Sequence, residues 1–274
     1  MSATDSPESD GEVITIDKTY PIRRHKNAYR YRVTIPVKIL DSAGVENKDK
    51  IGVSLTQEEG FVVIEYTTDV TNSDLVFTVS RHTTGEVSVP SAIGAALEMD
   101  TATVQWSRVK TDTGFVYRAK TDISLVDMEF SEEDVFKTES LTHVKQDINR
   151  DEGDWEQEYF RAYLNSEENK SFLNSGSDET VAIRIVRVGD HPAVMLDSQT
   201  EGVSEKSVKE IIWTNKNYHD EREEDMEITA SKSNNPDQDA VVYIPNDIVR
   251  ALGFVDKEFF WVSQNGKLIF YPVS

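Results

Sequence analysis

The feature that most constrains this chain is a short unit that occurs three times. Each copy has a β-branched strand that ends in proline, then a short helical stretch, then two strands joined by a turn; the prolines are Pro36, Pro90 and Pro245. Proline fixes φ and has no backbone donor, so it ends a strand and can stand at the first turn of a helix. The chain is therefore predicted to consist largely of repeated small units.

Fixed spacing supports the repeat. An apolar residue follows each proline after three positions, a helix-ending glycine after eight in two of the copies, and a second apolar residue after nine. Glycine there suits the left-handed conformation at a helix end. Copy two has lost the glycine. In chain order these positions hold Ile39, Ile93 and Ile248; Gly44, Glu98 and Gly253; and Val45, Met99 and Phe254.

Copies one and three resemble the swapped-hairpin family of AbrB, MazE and SpoVT proteins. The resemblance rests on YRVTIPVKI at 31–39, followed by Gly44-Val45, and on VYIPNDIVRALGF at 242–254. It implies that two units, normally from two chains, interleave into one small barrel. It also implies that basic residues on one side of that barrel contact duplex DNA, as in transition-state regulators and antitoxins.

Physical reasoning also predicts that the units pair. A unit of about 45 residues cannot bury enough surface alone, and its strands would leave open edges. Copies one and two could form one barrel within the chain. The third copy needs a partner, which is either a degenerate fourth unit after residue 179 or the same unit of a second chain. A homodimer is the preferred prediction, because symmetric dimers are the commonest assemblies.

The predicted fold class is mainly β with short helices (α+β), with tandem swapped-hairpin β-barrel units and an acidic helical middle segment. The middle is predicted to be helical because Ser131–Phe172 is acidic, with apolar residues at roughly helical intervals. The predicted divisions are a disordered tail (1–15), unit 1 (16–68), unit 2 (72–122), the acidic helical segment (123–178), a degenerate unit or hairpin-helix (179–230) and unit 3 (231–274).

The charge balance is strongly acidic. The chain has 50 acidic and 29 basic residues, for a net charge of −21. Such a charge repels DNA at low salt. It is typical of proteins from a high-salt cytoplasm, where the Debye length falls to about 3 Å near molar salt. There is no cysteine and no apolar run of the roughly 18 residues that a membrane span needs, so a cytoplasmic protein without membrane contact is expected.

A basic island stands out against this background. Residues 18–50 hold nine basic and three acidic side chains, a local charge of +6. Alternation along a strand places Arg30 and Arg32 on one side, and clustered charge of this kind suits phosphate binding. The alternative is a solvated surface whose basic side chains pair with acidic neighbours. The predicted DNA-binding residues are Arg23, Arg24, Lys26, Arg30, Arg32, Lys38 and Arg250, of which Arg30, Arg32, Lys38 and Arg250 are carried over from the resemblance.

The sequence offers no sign of catalysis. The five histidines stand at no metal-ligand spacing, and neither a glycine-rich phosphate loop nor a nucleophile elbow occurs. No enzyme activity, cofactor or metal is therefore predicted. The two remaining hypotheses are a DNA-binding transcriptional regulator of the AbrB-like type and a non-catalytic interaction protein, antitoxin-like or scaffolding, whose protein partner binds the acidic middle segment.

Overall fold

The computed structural model describes residues 13–24, 30–42, 44–81, 85–131, 135–148, 155–164, 179–197, 227–231, 240–264 and 266–273. The described strands form three antiparallel sheets, none closed into a barrel, with three short α-helices. This confirms the mainly β prediction. The segment 1–12, Lys26 and the helix predicted at Val203–Trp213 lie outside the described residues. The predicted disordered tail is wrong for residues 13–15, because the first strand begins at Val13.

The first half, residues 13–124, contains ten strands and two of the helices among its described residues. They are β1 (Val13–Pro21), β2 (Arg23–Arg24), β3 (Arg30–Ile35), α1 (Val37–Asp41), β4 (Lys50–Glu58), β5 (Phe61–Thr67), β6 (Val76–Thr78), β7 (Ser80–Arg81), β8 (Gly85–Pro90), α2 (Ser91–Ala96), a short 3-10 helix (Met99–Thr101), β9 (Thr103–Thr111) and β10 (Gly114–Ser124). One sheet has the order β1-β9-β10-β5-β4-β6 and the other β2-β3-β8-β7.

Single buried residues connect the edges of these two sheets. Ile22 alone separates β1 from β2, and Val79 alone separates β6 from β7. Each is a corner where the chain leaves one sheet and enters the other. Ile22 is 4% exposed and Val79 is fully buried, because apolar side chains at both corners point into a core that the two sheets share. Both corner residues remain hydrogen-bonded, because Ile22 N donates to the Ala102 carbonyl and Val79 N donates to the Asp49 carbonyl.

The two repeat units of the first half pair with each other. Strand β3 of copy one lies antiparallel to β8 of copy two, with Val33 opposite Val87. The hairpins β4–β5 and β9–β10 meet along β5 and β10, where Tyr66 lies opposite Tyr117. The edges that a lone unit would expose are thereby covered by the other unit.

The second half, residues 135–273, contains one nine-stranded sheet and the third helix. Its elements are β11 (Val135–Ser140), β12 (Thr142–Ile148), β13 (Trp155–Leu164), β14 (Glu179–Val188), β15 (His191–Asp197), β16 (Glu227–Ser231), β17 (Ala240–Ile244), α3 (Asn246–Ala251), β18 (Glu258–Gln264) and β19 (Lys267–Pro272). The sheet order is β11-β18-β19-β15-β14-β16-β17-β13-β12. Only Leu141 separates the two edge strands, β11 and β12, in sequence.

The predicted acidic helical segment is wrong. Strands β11, β12 and β13 occupy most of its described residues. The apolar residues that suggested helical spacing include alternating positions of strands, as in Val144 and Ile148 opposite Tyr159 and Trp155. Pairing of β13 with β17 decided the outcome, because it buries Phe160 to 1% exposure. The loop predicted at Tyr218–Gln238 is likewise wrong at β16, whereas the hairpin predicted around Gly189-Asp190 is confirmed as β14–β15.

The third copy finds its partner within the chain. Its first strand, β17, pairs with β13, and its last strand, β19, pairs with β15. These are the pairings that join copies one and two. The partner segment therefore begins at β13, at residue 155, and not at the predicted residue 179. A second chain is not required to cover the strand edges of the third copy. The argument that predicted a homodimer therefore no longer applies.

The two halves have the same strand order and matching registers. Arg23 lies opposite Arg32, which lies opposite Ser88; in the second half Thr142 lies opposite Arg161, which lies opposite Tyr243. Fourteen residues separate β3 from β4, and fourteen separate β13 from β14. The described chain is thus a tandem pair of similar halves.

The helix ends repeat as well. Gly44 and Gly253 have φ of +65°, and Glu98 takes φ of +52° at the same position. Val45, Met99 and Phe254 are buried directly after it. Copy two therefore keeps the turn without the glycine, and its Glu98 side chain forms an ion pair with Arg184 of the second half.

Helix α2 explains why copy two differs from the other copies. It packs against α3, β14 and β3, and its small residues allow this close approach. A Cβ atom on Gly94 would lie 2.0 Å from the Tyr31 ring, so this glycine is needed for space. The cores of the two halves merge here into one apolar cluster that includes Ile93, Ile248 and Ile185.

We expect Gly94→Ala to lower the free energy of unfolding by about 1–3 kcal/mol, because the added methyl group displaces the buried Tyr31 ring. Alanine has the higher helix propensity by about 1 kcal/mol, which opposes the effect. Denaturant unfolding in concentrated potassium chloride measures the difference. An unchanged or raised midpoint would contradict this packing.

Candidate nucleic-acid interface

The candidate interface lies on the outer side of the four-stranded sheet. Strand β3 alternates as predicted: Tyr31, Val33 and Ile35 are at most 3% exposed and face the core, whereas Arg32 is half-buried on the opposite side. The apolar side chains fix the register of β3, since a shift of one residue would bury the arginine. The core therefore determines where Arg32 stands.

A second arginine stands directly beside Arg32. Arg23 of the edge strand β2 is exposed and lies opposite Arg32 in the ladder. Side chains directly opposite have Cβ atoms about 5 Å apart, and like charges in this arrangement repel. We call Arg23 and Arg32 the arginine pair. A bound anion would relieve this repulsion.

Two carboxylates lie close to these cations. Arg32 Nη1 donates to Glu86 Oε2 of β8 at 3.2 Å. Arg24, beside Arg23, lies 3.8 Å from Asp100 Oδ1, and the Tyr31 hydroxyl donates to the same carboxylate oxygen at 3.3 Å. The predicted alternative of a surface paired with acidic neighbours thus holds for Arg32 and Arg24.

Arg23, in contrast, is not paired with an acidic neighbour. Among the arginines whose side chains the structure describes, Arg23 is the one that forms no hydrogen bond or ion pair. Each of the others has a polar partner on the protein: Arg24, Arg32, Arg81, Arg108, Arg118, Arg184, Arg187 and Arg250. In a chain of net charge −21, an exposed arginine without a carboxylate partner is available to an outside anion.

The remaining predicted residues of the basic island lie near this sheet in sequence. Arg30 opens β3 opposite Pro90. Lys38 is exposed on α1, which directly follows β3, while its neighbours Ile39 and Leu40 are buried. The structure thus places Arg23, Arg24, Arg30 and Arg32 on adjacent strands and Lys38 on the next element.

Arg250 lies elsewhere, at the contact between the halves. Its Nε donates to Asn246 Oδ1 at 2.8 Å, its Nη1 donates to the Asp74 carbonyl at 3.3 Å, and its guanidinium lies 6.0 Å from the centre of the Phe160 ring. The structure does not bring Arg250 together with the arginine pair. Its geometry is that of a structural contact between α3 and the loop before β6.

The outer side of the six-stranded sheet offers a contrasting set of cations. Arg118 Nη2 lies 3.2 Å from Glu58 Oε2 and Arg118 Nε lies 2.9 Å from Glu65 Oε1, while Lys120 Nζ lies 2.9 Å from Glu59 Oε2. The Lys120 contact holds the pKa of the Glu59 carboxyl below its usual value. These cations are already balanced by carboxylates, so this surface lacks the free charge of the arginine pair.

Glu86 and Asp100 are functional candidates that the sequence reasoning missed. A signal existed for Glu86, because it stands 54 residues after Arg32, and the same interval separates Pro36 from Pro90. Asp100 offered no such signal, since its contacts with Arg24 and Tyr31 depend on how the strands pair.

Three tyrosines of the described interior have raised pKa values. Burial raises the pKa of Tyr31 to about 12, with a further contribution from Asp100, and burial raises the pKa of Tyr117 to about 12. Burial also raises the pKa of Tyr66. In the part of the chain that the structure describes, no group of three or more potential metal ligands occurs. No described helix has the length and apolar character to span a membrane.

Comparisons with family models, curated proteins and solved structures found no match for this chain.

Arg250→Ala should lower stability and leave DNA binding unchanged. Loss of its hydrogen bonds is expected to cost about 1–3 kcal/mol, since bonds made by charged groups are the stronger kind. Unfolding and DNA titration of the same variant provide the measurement. A loss of DNA affinity with unchanged stability would instead place Arg250 in the interface.

The tyrosines predict how stability changes at high pH. Tyrosine ionises near pH 10.0 when unfolded, and Tyr117 ionises near 12 when folded. The free energy of unfolding should therefore fall as the pH rises from 10 to about 12, because the unfolded chain releases the proton first. Tyr117→Phe should make this fall smaller in unfolding experiments at a series of pH values. An identical fall in the variant would contradict the prediction.

Proposed function

We propose that this protein binds duplex DNA through the arginine pair, as a transcriptional regulator of the AbrB-like type. The observation that carries the proposal is the exposed position of Arg23 opposite Arg32, without any carboxylate of its own. Guanidinium groups bind phosphate oxygens through paired hydrogen bonds and reach guanine edges in the major groove. Lys38, exposed on the helix that follows β3, is proposed to extend this surface.

We also propose that each half is a single-chain form of the swapped-hairpin fold. The support is the pairing of first strand with first strand and of hairpin with hairpin, seen for β3 with β8 and for β5 with β10. In the proposed arrangement, the interleaved hairpins form the body, and the paired first strands carry the DNA-binding surface.

The net charge of −21 sets the conditions for binding. At low salt the acidic remainder of the chain repels DNA. Near molar salt the Debye length is about 3 Å, so distant carboxylates are screened while direct contacts at the arginine pair remain. Each phosphate contact still makes the affinity salt-dependent through release of counterions.

The proposal predicts that Arg23→Ala with Arg32→Ala weakens DNA binding by about tenfold or more, because the loss of even one charged hydrogen bond costs on the order of 1.4 kcal/mol. The slope of log affinity against log salt should become shallower by about 0.9 for each phosphate that the variant no longer neutralises. Fluorescence anisotropy with random duplexes and genomic fragments, over a potassium chloride series, measures both quantities.

A matched control is Arg118→Ala with Lys120→Ala, which removes the same charge from the outer side of the six-stranded sheet. Its DNA affinity should fall much less. Equal reductions in the two double variants would mean that only net charge matters. Absence of binding at every salt concentration that keeps the protein folded would overturn the proposal and favour the non-catalytic interaction protein.

A further inference from the structure

An internal two-fold axis relates the first strands of copies one and two. Pro36 and Pro90 are 54 residues apart (90 − 36), as are Val33 and Val87 (87 − 33). Val33 and Val87 also lie opposite each other in the antiparallel pair of β3 and β8. The axis therefore passes through this pair, and each residue of β3 corresponds to the residue 54 positions later in β8.

The charges on the outer side of this sheet do not follow the axis. The counterpart of Arg32 is Glu86 (32 + 54). Arg23 lies opposite Arg32, and the residue opposite Glu86 is Ser80. One side of the axis thus presents two arginines, whereas the other presents a serine and a glutamate.

Glu86, which occupies the position of Arg32 on the other side of the axis, also forms an ion pair with Arg32 itself. Arg32 Nη1 and Glu86 Oε2 are 3.2 Å apart, and the two side chains are 42% and 39% exposed. A surface ion pair of this kind contributes about 0–1 kcal/mol, so it opens readily when a phosphate offers Arg32 another partner. Glu86 nevertheless competes with that phosphate, and it repels any phosphate that approaches its own side of the axis.

We infer that the arginine pair binds a DNA site without two-fold symmetry, and that Glu86 lowers the affinity by competing for Arg32. The inference rests on the proposed function. A palindromic site needs equivalent contacts from both sides of a two-fold axis. Here the fold retains the axis while the contacts are present on one side only, so a single asymmetric site fits the charge pattern.

The test is Glu86→Gln, which removes the competing charge and keeps the size of the side chain. We expect DNA binding about three- to fivefold tighter, which corresponds to the upper part of the range of about 0–1 kcal/mol for a surface ion pair. Arg32→Ala in the same variant should cancel the gain. The matched control, Glu65→Gln, removes an equal charge from the ion pair with Arg118 and should change affinity less than twofold.

The outcomes separate the two proposals. Binding by the wild type with no gain in Glu86→Gln, or with an equal gain in Glu65→Gln, would overturn the role of Glu86 while leaving DNA binding intact. No binding by the wild type or by either variant would overturn the proposed function and this inference with it.

The asymmetry of the bound DNA site can be tested separately. Ethylation of phosphates that the protein contacts blocks binding, so interference mapping on a bound genomic fragment locates those phosphates. We expect contacts on one side of the site centre. Two clusters related by a two-fold axis would overturn asymmetric binding.

Discussion

The structure depends on the antiparallel pairing of the first strands of the units. In the first half, β3 and β8 pair through Val33 and Val87; in the second, β13 and β17 pair through Phe160 and Ile244. In each pairing, a strand of one small unit covers the open strand edge of another and buries the side chains beneath it. At β3, β8 and β17 a proline at the end of the strand then turns the chain into a helix that covers the same core. Without this pairing a unit of about 45 residues would have too little interior to fold.

The same pairing places different residues at matching positions of the two halves. At matching register positions, the first half has Arg23 and Arg32, whereas the second has Thr142 and Arg161. The chain thus contains two frameworks with one strand order. In the proposed function, the first half contacts DNA. The second half is held against it by the ion pair of Arg184 with Glu98 and by the contact of Arg250 with Asp74.

The sequence predicted the parts that depend on local chemistry. Three prolines at fixed distances from an isoleucine and a helix end located the three units, and the alternation of β3 placed Arg32 outside the core. The sequence also holds a further signal: Trp106 and Trp261 both stand 16 residues after a proline and are both fully buried. This shared spacing shows from the sequence alone that copies two and three correspond.

The failures share a physical cause. Residues 155–164 lack the proline of the other units and carry many charges, so spacing favoured a helix, but pairing with β17 makes them a strand. Arg250 resembles a DNA-contacting arginine in sequence, and only the packing of the halves shows its bond to Asp74. Both outcomes depend on contacts between residues far apart in the chain, which local patterns do not encode.

Hydrogen exchange with and without duplex DNA, in concentrated potassium chloride, tests the central claim most directly. Because the two halves match, each strand of the first half can be compared with its counterpart in the second half as a control. DNA should slow exchange in β2, β3 and α1 and leave β12 and β13 unchanged. Protection of the second half instead, or none in a sample shown to bind DNA, would contradict the assignment of the interface to the arginine pair.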